Sequence, residues 1–262
     1  TNVVSAMFVG IGLELPAAVL LAAAIAAWVV MGYSIPWLAV LSNPRRPILE
    51  AANGTWFIWV VASQSIAVVA AGIEPLYPEA RQWLAIIAVT TWSMGVMLYA
   101  MCGLLLLFRL IMYRLEPQQL DPPYWITMGA MAITVVAGAR IVEMDDAPMI
   151  DVTRALIAGL SVIFWAFATW LIPALLAAGV WRHVVKRVPF RYQPTLWSFV
   201  FPMGMYAAAS IYLGRANRLP VVEAVGEIWF WAALLAWSIT AVGMVFDIGG
   251  RLSAWRNTKE TV

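Results

Sequence analysis

Seven apolar runs, each long enough to cross a membrane, recur along this 262-residue chain with short polar loops between them. No other feature constrains the fold as much. A hydrocarbon core about 30 Å thick calls for roughly 20 apolar residues of α-helix, and inside it the backbone has to satisfy its own polar groups. The runs are Pro16 to Leu41, Gly54 to Ala71, Gln82 to Met112, Pro123 to Ile141, Val152 to Trp181, Pro194 to Gly214 and Val221 to Ile248. They predict an all-α polytopic membrane protein, one transmembrane domain over 1–262. A further stretch, Val3 to Ile11, is too short to span at ~1.5 Å per residue and is expected to be the tail of a helix begun upstream.

Composition sharpens this by exclusion. Hydrophobic residues make up 63% of the chain and charged residues 11%, with a mean hydropathy of +0.85, which excludes a soluble domain. A single cysteine, Cys102, and a single histidine, His183, exclude a disulfide framework and paired axial haem ligands. The only lysines, Lys186 and Lys259, lie in polar flanks, so no lysine is placed for a Schiff base within the bundle. There are no paired intramembrane carboxylates and no phosphate-binding loop. The acidic loop with Glu143, Asp145, Asp146 and Asp151 reads as solvated, with cation binding as the alternative. No enzyme, cofactor, metal site or nucleic-acid partner is expected.

The loop charges orient the chain. Arg45, Arg46, Arg109, Arg114, Arg182, Lys186, Arg187, Arg191, Arg251, Arg256 and Lys259 fall on one side; Arg81, Arg140, Arg154, Arg215 and Arg218 fall on the other. By the positive-inside rule the C-terminus is cytoplasmic. The three shorter runs, starting at Gly54, Pro123 and Pro194, then all begin at the cytoplasmic face. Their positive dipole ends would draw anions to that face if they surround one axis; otherwise the basic loops serve topology alone. Arg109, Arg140, Glu223, Glu227 and Asp247 lie near run ends and are expected to snorkel.

Each shorter run is opened by a tryptophan and followed by a longer run. The spacings are 69 residues (125 minus 56) and 72 residues (197 minus 125) between Trp56, Trp125 and Trp197. Near-constant spacing suggests repeated helical hairpins, a common plan for transporters.

The run from Pro194 to Gly214 has a proline in its middle, Pro202, directly after Phe201. Pro202 lacks an N–H and crowds the preceding turn, which predicts a kink. If this helix lines a conduit, Phe201 is placed to plug it; otherwise it is packing bulk. Ser63, Gln64 and Ser65 form a polar centre in the first short run. Gln64 either faces a conduit or makes an interhelical hydrogen bond. Thr127 and Thr134 share a face with small residues, and Ser198 lies beside Phe201 and Pro202. Such faces suit lining and close packing equally.

The decapeptide from Thr195 to Gly204, TLWSFVFPMG, resembles the ninth-helix motif of the tellurite-resistance/dicarboxylate transporter family, which includes bacterial TehA and plant slow-type anion channels. Asn53 to Phe57, NGTWF, and Pro122 to Ile126, PPYWI, are similar to the starts of its fifth and seventh helices. The resemblance runs through essentially the whole chain and is closest to actinobacterial-type members. It implies helical hairpins with odd-numbered helices around a central pore and even-numbered ones outside, a homotrimer with one pore per protomer, and a bacterial plasma membrane. It also implies that the first two helices and most of the third have no counterpart here. The family's pore phenylalanine falls on Phe201. The expected function is an anion channel or transporter passing chloride, nitrate, sulfite or C4-dicarboxylates. A proton-coupled carrier and a non-transporting structural subunit are the alternatives.

Overall fold

The computed structural model describes residues 14–41 and 48–260. The expected N-terminal remnant, Val3 to Ile11, and the arginines Arg45 and Arg46 lie outside them. Among the described residues there are seven long helices and no strand: α1 (Glu14–Leu41), α2 (Ile58–Ile73), α3 (Arg81–Met112), α4 (Ile126–Val142), α5 (Pro148–Val180), α6 (Trp197–Ala216) and α7 (Pro220–Glu260). All seven are long and apolar enough to span a membrane.

Burial sorts these helices into two layers. The share of buried residues is 56%, 83% and 39% in the spans holding α2, α4 and α6 and at most 22% in the other four. The inner layer is therefore α2, α4 and α6, with α4 in the middle, packed on both of its inner neighbours. Each inner helix packs on the outer helix that follows it: α2 on α3, α4 on α5, α6 on α7. These are the hairpins the tryptophan spacing predicts. A span with many apolar residues exposed, such as α3 with Met97, Leu104 and Ile111, suits lipid contact.

The inner helices start alike. Short 3₁₀ turns, Gly54–Phe57, Pro122–Trp125 and Pro194–Leu196, precede them. Proline sits at the beginning of the second and third, where a missing N–H costs nothing. The first is capped by Asn53, whose Oδ1 accepts from the Thr55 N–H at 2.9 Å and its hydroxyl at 2.6 Å. A Cβ on Gly54 would sit 1.9 Å from the Pro123 carbonyl oxygen. Only glycine permits this approach, which locks the starts of α2 and α4 together. The three turns touch in sequence, the second contacting both the first and the third.

At the opposite end, Arg81 ties two loops together. Its Nε donates to Glu74 at 2.6 Å and its Nη2 to Asp145 at 2.7 Å. Arg154 donates to Asp146 at 2.9 Å and also to the carbonyl of Val142. Asp145 and Asp146 are exposed, as expected of a solvated loop, and both are ion-paired. Glu74 is different, being 1% exposed.

Candidate functional site

The inner wall carries almost no charge. No Asp, Glu, Lys or Arg lies in α2, and the only ones in α4 and α6 are Arg140 and Arg215, each in the last turn. Arg140 donates to the Tyr212 hydroxyl at 2.8 Å and stands 4.4 Å from its ring centroid. It fastens α4 to α6 at the end opposite the basic loops.

Two stripes of the inner wall are at least partly exposed. On α2, Ile58, Ser65 and Gly72 recur every seven residues and are all at least partly exposed; a Cβ on Gly72 would meet nothing within 4 Å. On α6, Phe201, Gly204 and Ala208 follow helical spacing. Gly204 is exposed and open space surrounds it, while Phe201 and Ala208 are half-buried. Phe201 makes no ring contact among the described residues, whereas Phe199 packs edge-on against Trp125 at 4.6 Å.

Pro202 lies inside the continuous helix α6 and is buried. A Cβ on Gly129 of α4 would come within 2.8 Å of its ring, so the proline is seated in a glycine notch of the middle helix. It cannot donate to the carbonyl of Ser198 four residues earlier. Ser198 is half-buried, and among the described residues its hydroxyl has no hydrogen bond. The Ser198 carbonyl thus lacks the amide donor that an ordinary helix supplies four residues on, one turn from Phe201.

The remaining expected residues point elsewhere. Ser63 and Gln64 are fully buried against outer helices. The Ser63 hydroxyl accepts from the Trp28 indole of α1 at 2.8 Å and donates to the Trp59 carbonyl. Gln64 donates from Nε2 to the Trp92 carbonyl of α3 at 3.1 Å. The Trp92 indole in turn donates to the Thr134 carbonyl of α4 at 3.0 Å, so one outer tryptophan holds two inner helices. Thr127 and Thr134 are buried, and their hydroxyls donate to carbonyls of the preceding turn at 2.8 and 2.7 Å. A similar clamp joins α5 to α6, with Trp165 donating to Ser210 at 2.8 Å and Thr169 and Tyr206 sharing a 2.7 Å bond.

Among the described residues two arginines are buried, and one of them, Arg109, departs from the snorkelling expectation. Arg109 is 4% exposed and Arg182 is 8% exposed. Arg109 donates to Gln119 at 3.0 Å and Arg182 to the carbonyl of the adjacent Leu120. Neither has an ion pair among the described residues. Desolvation pushes the nearby Asp121 carboxyl above its usual range, against the opposing pull of hydrogen bonding and of Arg182. Sequence reasoning missed Trp92, Gly95, Gly129 and this arginine pair. The one available signal was a cation or a glycine set among apolar residues.

Fold and site together define a multi-pass membrane protein with a neutral inner wall backed by lipid-facing helices. The model of the voltage-dependent anion channel family, the tellurite-resistance/dicarboxylate transporter family of the motifs above, matches residues 1–245. The chain belongs to that family, whose members are channels and transporters and not enzymes. It is 56% identical over 155 residues to the uncharacterized membrane protein Rv1735c of Mycobacterium tuberculosis, covering 59% of this chain and 79% of that one. It is 26% identical over 195 residues to the uncharacterized transporter MJ0576 of Methanocaldococcus jannaschii, covering 74% of this chain and 55% of that one. No solved structure gives a significant match.

Proposed function

We propose that this protein passes small anions, of the class of chloride, nitrate, sulfite or C4-dicarboxylates, through a neutral conduit along α2, α4 and α6 that Phe201 occludes. The observation that carries the reading is the shared origin of three charge-poor inner helices in one cluster of turns beside the basic loops. Aligned N-termini present partial positive charge there, so anions are favoured without a fixed cation in the path. An apolar constriction then sets the barrier by excluding water. The half-buried ring of Phe201, on the partly exposed stripe of α6, supports that assignment.

The basic-loop face and the C-terminus are cytoplasmic in this reading, as the loop charges favour. The membrane is the bacterial inner membrane, and the assembly is a homotrimer with a conduit in each protomer. Flux from liposomes holding the purified protein, measured with a panel of anions and with sodium or potassium as counter-ion, tests the function. Anion-selective flux that does not saturate or follow a pH gradient is expected. Saturable uptake driven by a pH gradient would replace the channel with a coupled carrier, and absence of flux for every anion would overturn the reading.

A further inference from the structure

The buried arginines and the basic loop between α5 and α6 belong to one place. Arg109 and Arg182 hold consecutive residues, Gln119 and Leu120, of the loop that leads into α4. Asp121 follows directly and lies within electrostatic reach of Arg182, and the Tyr124 hydroxyl feels both Arg109 and Asp121. Among the described residues, eight buried side-chain polar atoms lack a hydrogen-bond partner. Five of them are here: Nε and Nη1 of Arg109, Nε of Arg182, Oδ1 of Asp121 and the Tyr124 hydroxyl. Leaving donors of a buried guanidinium without partners is unfavourable; both arginines do so, and Arg182 also lines the cavity beside them.

An open cavity of about 600 Å³ adjoins this cluster, and Asp121 and Arg182 are part of its wall. The rest of the wall includes Lys186, Arg187 and Arg191, so four cations face one carboxylate. The loop that carries them is built and closed. Past Val180 the helix widens into a π-turn, Trp181–Val185. The Lys186 N–H donates to the Trp181 carbonyl at 2.9 Å and the Val188 N–H to the Arg182 carbonyl at 3.1 Å. Arg187 takes a left-handed conformation, φ 52°, which is unfavourable for a residue with a Cβ. His183 Nδ1 lies 2.9 Å from the Val188 carbonyl, closing the turn again.

We infer that this cavity is a binding site for a phosphate-bearing anion, distinct from the conduit. Arginine forks and a lysine point charge match the oxygens of a phosphate group. A small monovalent anion would use one such group and leave the others uncompensated. The volume lies in the range of ligand sites and accommodates a phosphorylated small molecule or an anionic lipid headgroup. None of the residues on the partly exposed stripes of α2 and α6 lines it, so its occupancy and the transport of an anion are separate properties.

The test uses the purified full chain and three probes: inorganic phosphate, ATP, and phosphatidylglycerol in phosphatidylcholine nanodiscs. Thermal unfolding is followed with each, against chloride at equal ionic strength. At least one phosphate probe is expected to raise the melting temperature more than chloride does. The double variant Lys186→Gln/Arg191→Gln, at two exposed positions, is expected to weaken that probe about tenfold or more. Asp121→Asn, which removes the opposing charge, is expected to tighten it. An effect of ATP or phosphate identifies a soluble ligand; an effect of phosphatidylglycerol alone, lost in the double variant, identifies a lipid headgroup. If no probe outperforms chloride, or the double variant binds as tightly as wild type, the inference is wrong. Neither result depends on whether the protein conducts.

Discussion

The amide of Gln64 fills the space that a side chain on Gly95 would need: a Cβ there would lie 2.3 Å from Nε2 and 2.7 Å from Cδ. Gly95 is thus the notch in α3 that admits a polar side chain from α2 and brings it to the Trp92 carbonyl. Gly95→Ala is expected to destabilise the protein by roughly 1–3 kcal/mol through overpacking. Adding Gln64→Ala removes the obstructing amide, so the pair should be more stable than the sum of the single changes. Thermal unfolding of the purified variants measures this, and a Gly95→Ala protein as stable as wild type would refute the notch.

The two glycines of the α4–α6 region should behave in opposite ways. Gly129→Ala would drive a Cβ into the rigid ring of Pro202, with ring and backbone atoms at 2.8 to 3.1 Å, whereas Gly204→Ala meets open space. We expect Gly129→Ala to cost about 1–3 kcal/mol and Gly204→Ala to leave stability near wild type. Equal losses in the two would show that the α4–α6 contact is looser than described.

Phe201 and Phe199 separate gate from packing. They are roughly 200° apart around the helix, and among the described residues Phe199 but not Phe201 has an aromatic neighbour, Trp125. Phe201→Ala should raise anion flux about tenfold or more, the effect of lowering a barrier by about 1.4 kcal/mol, at unchanged expression. Phe199→Ala should lose about 0.5–1.5 kcal/mol from the ring contact alone and leave flux unopened. Liposome flux at matched protein levels decides; a competent wild type with an equally slow Phe201→Ala would end the gate assignment.

Arg81 holds a nearly enclosed carboxylate, Glu74, and an exposed one, Asp145. Removing the cation leaves Glu74 charged without a partner, so Arg81→Ala should cost about 3–5 kcal/mol. Asp145→Ala removes only the exposed arm and should cost no more than about 1 kcal/mol. Detergent unfolding curves for the two variants distinguish them, and similar small losses would mean that Glu74 is solvated.

Orientation is open to single-cysteine labelling. Gln118 and Gln193 are exposed at the basic end, Pro78 and Glu143 at the other, and the native Cys102 is buried and should stay silent. Cysteines at the first two should react from the cytoplasm, and at the last two from outside. Reversed accessibility would overturn the cytoplasmic assignment of the basic face and the dipole argument built on it.

The sequence by itself determined the crossings, their pairing into hairpins and the division of the loops into basic and mixed sets. The reason is the solvent: a bilayer demands unbroken apolar helices of fixed length, so their number and order are written in one dimension. Even the start of each inner helix was legible, because Asn53, Pro122 and Pro194 act on their own backbone. What only the tertiary structure decided is where the polar side chains point. A stripe of Ser, Thr, Gly and Ala serves close packing and pore lining at the same helical spacing, so Ser63 and Gln64 could have faced either way. Their hydrogen bonds go to Trp28 and to the Trp92 carbonyl, partners 35 and 28 residues away that no local pattern names. Likewise Arg109 and Arg182 stood at run ends where an arginine can reach water. Burial against the Gln119–Leu120 loop comes from how two hairpins meet, and that meeting is a property of the packed bundle.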